Sequence, residues 1–179
     1  MPSIDAESMG IENYKNRYFV AKSINLEISR EKMWDLISSP GHLNQCHPFC
    51  HTNSVIKWSD GSHVDELIYL NGLRYIRHFH QWFPNKGYEL LIGEESGPQS
   101  YVVWELSSIS SNQCNLQIKV YPYILANWSR ILSYIPYNVY IKPRIEKYLI
   151  SVLSGFEYYI DNKKDVPRNN FGKHSWFSK

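Results

Sequence analysis

The sequence predicts an α+β domain in which one antiparallel β-sheet is covered by a long C-terminal α-helix, with two short helices after the first strand. Three observations lead there. Residues 18–28 alternate apolar and polar side chains, as a half-buried strand does. Further on, extended runs spaced roughly ten residues apart are separated by turn-forming clusters, the spacing of an antiparallel meander. Finally, Ile141, Ile145, Leu149, Val152, Phe156 and Ile160 recur at three-, four- and seven-to-eight-residue separations, which lines them along one side of a helix.

In chain order, residues 1–16 are polar and unpatterned and read as a loose leader, residues 17–162 as the single domain, and residues 163–179 as a tail. The first strand turns Tyr18, Val20, Ile24, Leu26 and Ile28 to one face. Ser29 then stands at a helix N-cap, with Lys32 where a complete capping box would carry Glu. Met33, Trp34, Leu36 and Ile37 make a short helix that stops at Ser39-Pro40-Gly41, and a second short turn or helix is expected over residues 42–45. An extended stretch follows through Val55, Ile56 and Trp58. Strands over residues 63–70 and 73–83 flank Asn71-Gly72, a strong signal for a two-residue hairpin turn. Turns at Pro84-Asn85-Lys86-Gly87, Ser96-Gly97-Pro98-Gln99 and Ser110-Ser111-Asn112-Gln113 lead into strands over residues 88–94, 100–109 and 114–121.

Residues 121–140 carry Arg130 as their only charge, and Pro122 and Pro136 argue against one continuous helix. A short helix over residues 125–134 and a kinked connection are expected. Such an apolar stretch is either a lid or membrane-facing segment or a piece tucked into the core. Large exposed apolar patches are uncommon, so the core is the expectation. The closing helix, residues 141–160, has Pro143 near its start, where a missing N–H costs nothing. Twenty residues make a rod about 30 Å long, which needs a large apolar partner surface. The tail places Phe171, Trp176 and Phe177 among basic residues, and is either loose or docked along the sheet.

Composition narrows the function classes. A net charge of +2 gives no general electrostatic case for nucleic acid. Fourteen Tyr and 6 Trp supply large, amphipathic side chains of the kind that line ligand cavities and also fill strand-rich cores. Cys46, Cys50 and Cys114 are too few and too irregular for a disulfide framework. The first ten residues lack the basic and apolar regions of a signal peptide, and no long uncharged apolar run is present. A reducing, cytoplasmic location is the expectation. Cys46-His47-Pro48-Phe49-Cys50-His51 gathers thiols and imidazoles, but its spacing matches no closed zinc site and the second ligand pair is missing. It reads as a structural loop, with no metal and no cofactor expected. Neither a Gly-x-Ser-x-Gly elbow nor a Gly-rich phosphate loop occurs.

The order of strand 18–28, helix Ser29-Arg30-Glu31-Lys32-Met33-Trp34-Asp35-Leu36-Ile37, break Ser39-Pro40-Gly41, antiparallel strands and helix 141–160 resembles the helix-grip fold of the START, birch-pollen-allergen and polyketide-cyclase (SRPBCC) superfamily. The resemblance covers roughly residues 17–162. It implies a curved sheet gripping the long helix, with an apolar cavity between them. Members include lipid and sterol carriers, hormone receptors and aromatic polyketide cyclases, and no catalytic motif is common to them.

A register argument then selects site residues. With a two-residue turn at Asn71-Gly72, Ile68 faces Tyr75, Glu66 faces Arg77 and Val64 faces Phe79. With a four-residue turn at residues 84–87, Phe79 faces Ile92 and Arg77 faces Glu94. Side chains alternate between faces, so Glu66, Tyr75, Arg77, Phe79 and Glu94 share the helix-facing side, and the later turns add Tyr101 and Glu105. Asp65, His63, His78 and His80 fall on the other side, which reads as solvated. From the helix, Tyr148, Val152 and Phe156 would roof the cavity. Arg77 between Glu66 and Glu94 is either a polar anchor for a ligand headgroup or a cross-strand ion pair satisfied by its own partners. The expected function is binding of a hydrophobic small molecule, such as a lipid, an aromatic or a polyketide-like compound. A cyclase, aromatase or dehydratase using the same cavity is the alternative, with a glutamate or Tyr101 as acid/base and Arg77 steadying an oxyanion. An interaction protein with little or no cavity is the third reading.

Overall fold

The structure, a computed structural model, describes Tyr14 and residues 17–59, 61–126 and 128–179. Apart from Tyr14, the leader read from the sequence lies outside the described residues. The expected order of elements is present. Strand β1 (Val20–Leu26) is followed by α1 (Arg30–Ile37) and α2 (Leu43–Cys46). Then come β2 (Cys50–Ser59), β3 (Ser62–Tyr69), β4 (Arg74–Phe83), β5 (Gly87–Gly93), β6 (Gln99–Ser108) and β7 (Cys114–Tyr121). Helix α3 (Arg130–Pro136), a π-helical turn (Tyr137–Ile141) and α4 (Lys142–Asn162) complete the chain. The seven strands form one antiparallel sheet in the order β1-β7-β6-β5-β4-β3-β2. Helix-grip architecture is what this is: one curved sheet, a long helix across it, short helices at one end.

Local chemistry accounts for the boundaries. Ser29 caps α1 with its Oγ accepting from the Lys32 N–H at 3.3 Å, and Met33, Trp34 and Ile37 turn inward. On α4 the buried stripe is Ile145, Leu149, Val152, Leu153, Phe156 and Ile160. Gly155 faces α2 so closely that a Cβ there would lie 2.1 Å from the Cys46 carbonyl oxygen. Only glycine lets the two backbones meet. The Lys22–Glu146 ion pair, 3.2 Å, ties β1 to the start of α4. Pro136 does not break the path from α3 into α4, because the π-helical turn absorbs it, with the Lys142 N–H bonded to the Tyr137 carbonyl five residues back. The expected kinked connection is thus a continuous helical one.

The hairpin registers differ from the sequence expectation, and the difference matters. Asp65 pairs with Arg77, Leu67 with Tyr75 and His63 with Phe79. The β3–β4 connection has three residues: the Tyr69 N–H bonds the Leu73 carbonyl at 2.8 Å, and Gly72 sits at φ 89°. Asn71 is taken by other bonds. Its Oδ1 accepts from the Leu73 N–H, and its Nδ2 donates to the Trp176 carbonyl in the tail. Between β4 and β5 the turn is also one residue tighter, and a bulge at His80 adds a second shift, so Arg77 faces Ile92 in place of Glu94. Two shifts restore the face; one does not. The β5–β6 pairing then places Ile92 opposite Ser100 and Leu90 opposite Val102. Tyr101, Val103 and Glu105 therefore turn to the outer face, against expectation.

The core lies between the inner sheet face and α4, and a small second cluster of Tyr14, Leu91, Tyr101, Val103 and Tyr121 covers part of the outer face. The tail docks. Its Val166 N–H bonds the Gln45 carbonyl and its Asn169 N–H the Pro48 carbonyl, and Phe177 stacks on Tyr69 with ring centres 4.2 Å apart. The segment expected in the core is divided. Ser133, Tyr137 and Ile141 point inward, while Ile131, Leu132, Ile135 and Val139 are exposed. Among the described residues no helix is long and apolar enough to cross a membrane.

Candidate functional site

A cavity of about 460 Å³ lies between the inner face of β3–β7, α4 and the docked tail. Its walls are mainly hydrocarbon and aromatic: Leu67, Leu90, Ile92 and Val102 from the sheet, Ile145, Leu149 and Val152 from the helix, Phe177 from the tail. Tyr140, half-exposed, and Trp176 stand at its rim with ring centres 6.3 Å apart.

Besides Ser100 and the Tyr75 and Tyr123 hydroxyls, which interact with each other, two polar assemblies break the apolar lining. The first is Arg77, which is 2 % exposed and makes a two-pronged pair with fully buried Asp65. Arg77 Nε donates to Asp65 Oδ1 at 2.6 Å, and Nη2 donates to Oδ2. Burial opposes both charges. The partner's field and hydrogen bonds outweigh it, so the Asp65 carboxyl is held below its ordinary range and the Arg77 guanidinium above its own. Asp65, assigned to the solvated face from sequence, is the true partner because the three-residue turn moves it inward. Glu66, the expected partner, turns to the outer face and pairs with Arg74.

The second is a hydrogen-bonded chain that sequence reasoning did not assemble. His47 Nδ1 accepts from the Phe49 N–H at 3.2 Å, so the ring proton sits on Nε2, which donates to the Tyr148 hydroxyl at 2.9 Å. Tyr148 and Tyr69 hydroxyls are 3.2 Å apart. Burial, reinforced by the charges of Arg77 and Arg168, pushes His47 down to about 3, so it is neutral near pH 7. Burial pushes the Tyr148 hydroxyl up to about 12 and Tyr69 well above its usual range. All three groups therefore keep their protons. Three donor protons serve two contacts, which leaves one O–H for an acceptor atom in the cavity.

Of the residues expected to bind ligand, Tyr75, Arg77, Tyr148 and Val152 line the cavity. Phe79 is on the inner face but lies in an aromatic cluster at the far end, 5.4 Å from Trp58 and 5.0 Å from Tyr88 between ring centres. Phe156 is fully buried beyond the cavity, against Trp104 and His42. Glu66, Tyr101 and Glu105 are on the outer face, with the Tyr101 hydroxyl donating to Glu89, and Glu94 is exposed beyond the end of β5. The tail residues and His47 carried no cavity signal in the sequence. A tyrosine at position 69 shares the face of Asp65, so the correct turn length alone would have found both.

Apart from His47, the Cys46–His51 loop offers the cavity no reactive group. Burial raises the Cys50 thiol to about 11 and the Cys46 thiol further, so neither is a ready thiolate. Among the described residues no cluster of three or more His, Cys, Asp and Glu has the geometry to hold a metal ion.

No protein-family model matches the sequence, and no curated protein sequence matches it. Solved structures do. DynU16, a protein from the dynemicin biosynthetic locus, superposes with a TM-score of 0.62 at 13% identity over 82% of this chain and 48% of its own. A START superfamily protein from Mycobacterium smegmatis gives 0.59 at 12% identity over 82% of this chain and 99% of its own. The chain has the helix-grip fold of these structures. The di-domain ARO/CYC StfQ from the steffimycin biosynthetic pathway shares the helix-grip fold at a TM-score of 0.56 and 9% identity, over 80% of this chain and 45% of its own. The chain thus spans about half the length of DynU16 and of StfQ.

Proposed function

We propose that the protein binds a neutral, hydrophobic small molecule bearing an acceptor oxygen, such as a carbonyl or phenol. The observation that carries this is the unspent O–H of the His47–Tyr148–Tyr69 chain in a mainly apolar cavity of about 460 Å³. That volume falls within the range of small-molecule sites, about 300–1,000 Å³. Arg77 does not favour an anion, because its charge is already met by Asp65. A carboxylate ligand would have to compete with that buried, two-pronged pair. Of the two readings of Arg77, headgroup anchor or internally satisfied ion pair, the pairing with Asp65 supports the second, which leaves recognition to a neutral donor.

The same donor would polarise a carbonyl, which keeps a cyclase or dehydratase reading open; the StfQ likeness in fold favours that reading. Its weakness lies in the base. His47 offers a donor at Nε2, its Nδ1 is occupied, and Asp65 is held by Arg77, while Glu66, Glu94 and Glu105 do not line the cavity. Holding a ligand needs only the donor; abstracting a proton needs a free acceptor.

Native mass spectrometry of gently purified protein tests the proposal, followed by thermal-shift titration with neutral ketone- and phenol-bearing aromatics and their carboxylate analogues. The expected result is a bound neutral molecule, or a melting shift with the neutral series that Tyr148→Phe with Tyr69→Phe reduces about tenfold in affinity. Preference for the carboxylates, or no ligand from either series, overturns it. Chemical conversion of a bound ketone would move the reading to the enzyme.

A further inference from the structure

The cavity does not explain the outer side of the helix leading into α4. Inward residues Ser133, Tyr137, Ile141 and Ile145 recur every four positions and are buried. Outward residues are as apolar: Ile131 is 87 % exposed, Leu132 68 %, Ile135 70 % and Val139 73 %. Exposed aliphatics elsewhere are the adjacent Val55 and Ile56 and the isolated Ile109 and Ile150, and scattered exposure of that kind is normal. Here four lie on two to three turns of one helical path. Trp128, Tyr134 and Tyr140, all at least half exposed, flank them. Such amphipathic rings favour the boundary between water and lipid.

Charge decides between occupants. From residue 121 to residue 145 there is no Asp or Glu, whereas the same stretch carries Arg130, Lys142 and Arg144, the Arg130 guanidinium lying 5.3 Å over the Tyr18 ring. The Arg144 guanidinium lies 3.5 Å over the Tyr140 ring. A two-fold contact with a second copy would set these cations against one another. An anionic surface complements them. The backbone is also prepared for low dielectric: Ser129 caps α3, the Ser133 hydroxyl donates to the Ser129 carbonyl, and Asn138 Nδ2 donates to the Tyr134 carbonyl. The patch reaches the cavity, since half-exposed Tyr140 belongs to both.

We propose that residues 128–144 dock the protein onto an anionic lipid bilayer, with Ile131, Leu132, Ile135 and Val139 inserted among the headgroups and Arg130, Lys142 and Arg144 contacting lipid phosphates. The segment lies in the interface plane as a short amphipathic helix does. This surface is independent of what the cavity holds, though it would open the cavity rim towards the membrane.

Flotation of the full chain with vesicles of phosphatidylcholine, alone or mixed with phosphatidylserine, tests it. Expected is co-flotation with the phosphatidylserine vesicles, weakened by salt. Ile131→Asp with Ile135→Asp is expected to reduce it at least about tenfold. Both positions are solvent-facing, and an unchanged thermal melt checks that the variant folds. Absence of flotation, equal flotation of the double variant, or a dimer in sedimentation velocity that the same variant dissolves while vesicles go unbound, each overturns the proposal.

Discussion

Strand β4 carries two arginine–carboxylate pairs three residues apart, one on each face of the sheet. On the inner face Arg77 holds Asp65 with side chains 3 % and 0 % exposed; on the outer face Arg74 holds Glu66 with side chains 47 % and 21 % exposed. The chemistry is the same and the strands are the same. Only burial differs, and burial decides what each pair does. In the buried interior an unpartnered charge has little access to water, so losing either member leaves the other at a high cost. Outside, water replaces either partner. The inner pair also cancels its own charge within the cavity wall, which leaves recognition to the neutral hydroxyl chain.

The largest effect should come from splitting the inner pair. Arg77→Met leaves Asp65 buried without its cation, with only the Asn53 side chain bonded to it, and should destabilise the fold by about 3–5 kcal/mol. Adding Asp65→Leu should recover much of that loss, because two apolar groups need no partner. Urea denaturation of the two variants measures it. A double variant no more stable than Arg77→Met would mean that the pair contributes more than mutual compensation.

Next in size is the tail that closes the inner face. Phe177 is buried against Tyr69 and against Tyr148, with ring centres 4.2 Å and 4.7 Å away. Phe177→Ala should cost about 1.5–3 kcal/mol and should also speed ligand release, since it removes part of the cavity wall. Stopped-flow dissociation of a bound ligand separates this from simple destabilisation: an unchanged off-rate would show that the tail is packing and not a gate.

Acid probes the same interior. Burial, helped by the Arg77 charge, lowers His42 to about 3, as it does His47. For a base whose folded pKa lies below its unfolded value, the unfolded chain takes up protons first. Stability is therefore complete above the unfolded value of 6.5 and falls as pH drops from there towards about 3. Asp65, with a depressed folded pKa, adds a further loss at lower pH still, from below 3.8 downward. Thermal melts between these limits should show a slope that His42→Gln makes shallower; equal slopes would remove His42 from the account.

Much of the fold was legible because its signals are local. Ser29 before an apolar helical run, turn clusters between strands, and the stripe from Ile145 to Ile160 all depend on near neighbours in sequence. The site was less legible because its face assignment hangs on turn length. Asn71-Gly72 reads as a two-residue turn, yet Asn71 is bound to the Trp176 carbonyl more than a hundred residues away, and the loop takes three. That one residue exchanges Asp65 for Glu66 on the inner face, beside Arg77. The His80 bulge is equally silent, since nothing local separates it from a regular strand. Exposure of Ile131 to Val139 could not be read from apolar composition, because both sides of that helix are apolar and only packing distinguishes them.

The smallest effect should come from the outer pair, and it is the sharpest control on the comparison. Arg74 also contacts Glu95 at 3.0 Å, so three charged side chains gather there, and counting contacts alone would rank this cluster above the inner pair. Solvent reverses the ranking. Its members are wet, the long side chains lose freedom when they pair, and salt screens what attraction remains. Arg74→Met should therefore leave the urea midpoint within error of the unchanged protein and leave ligand binding untouched. Arg77→Met, three positions along the same strand, should move both. If the Arg74 variant lost stability on the scale of the Arg77 variant, face and burial would not be what separates the pairs, and the register that places Asp65 inward would have to be redrawn.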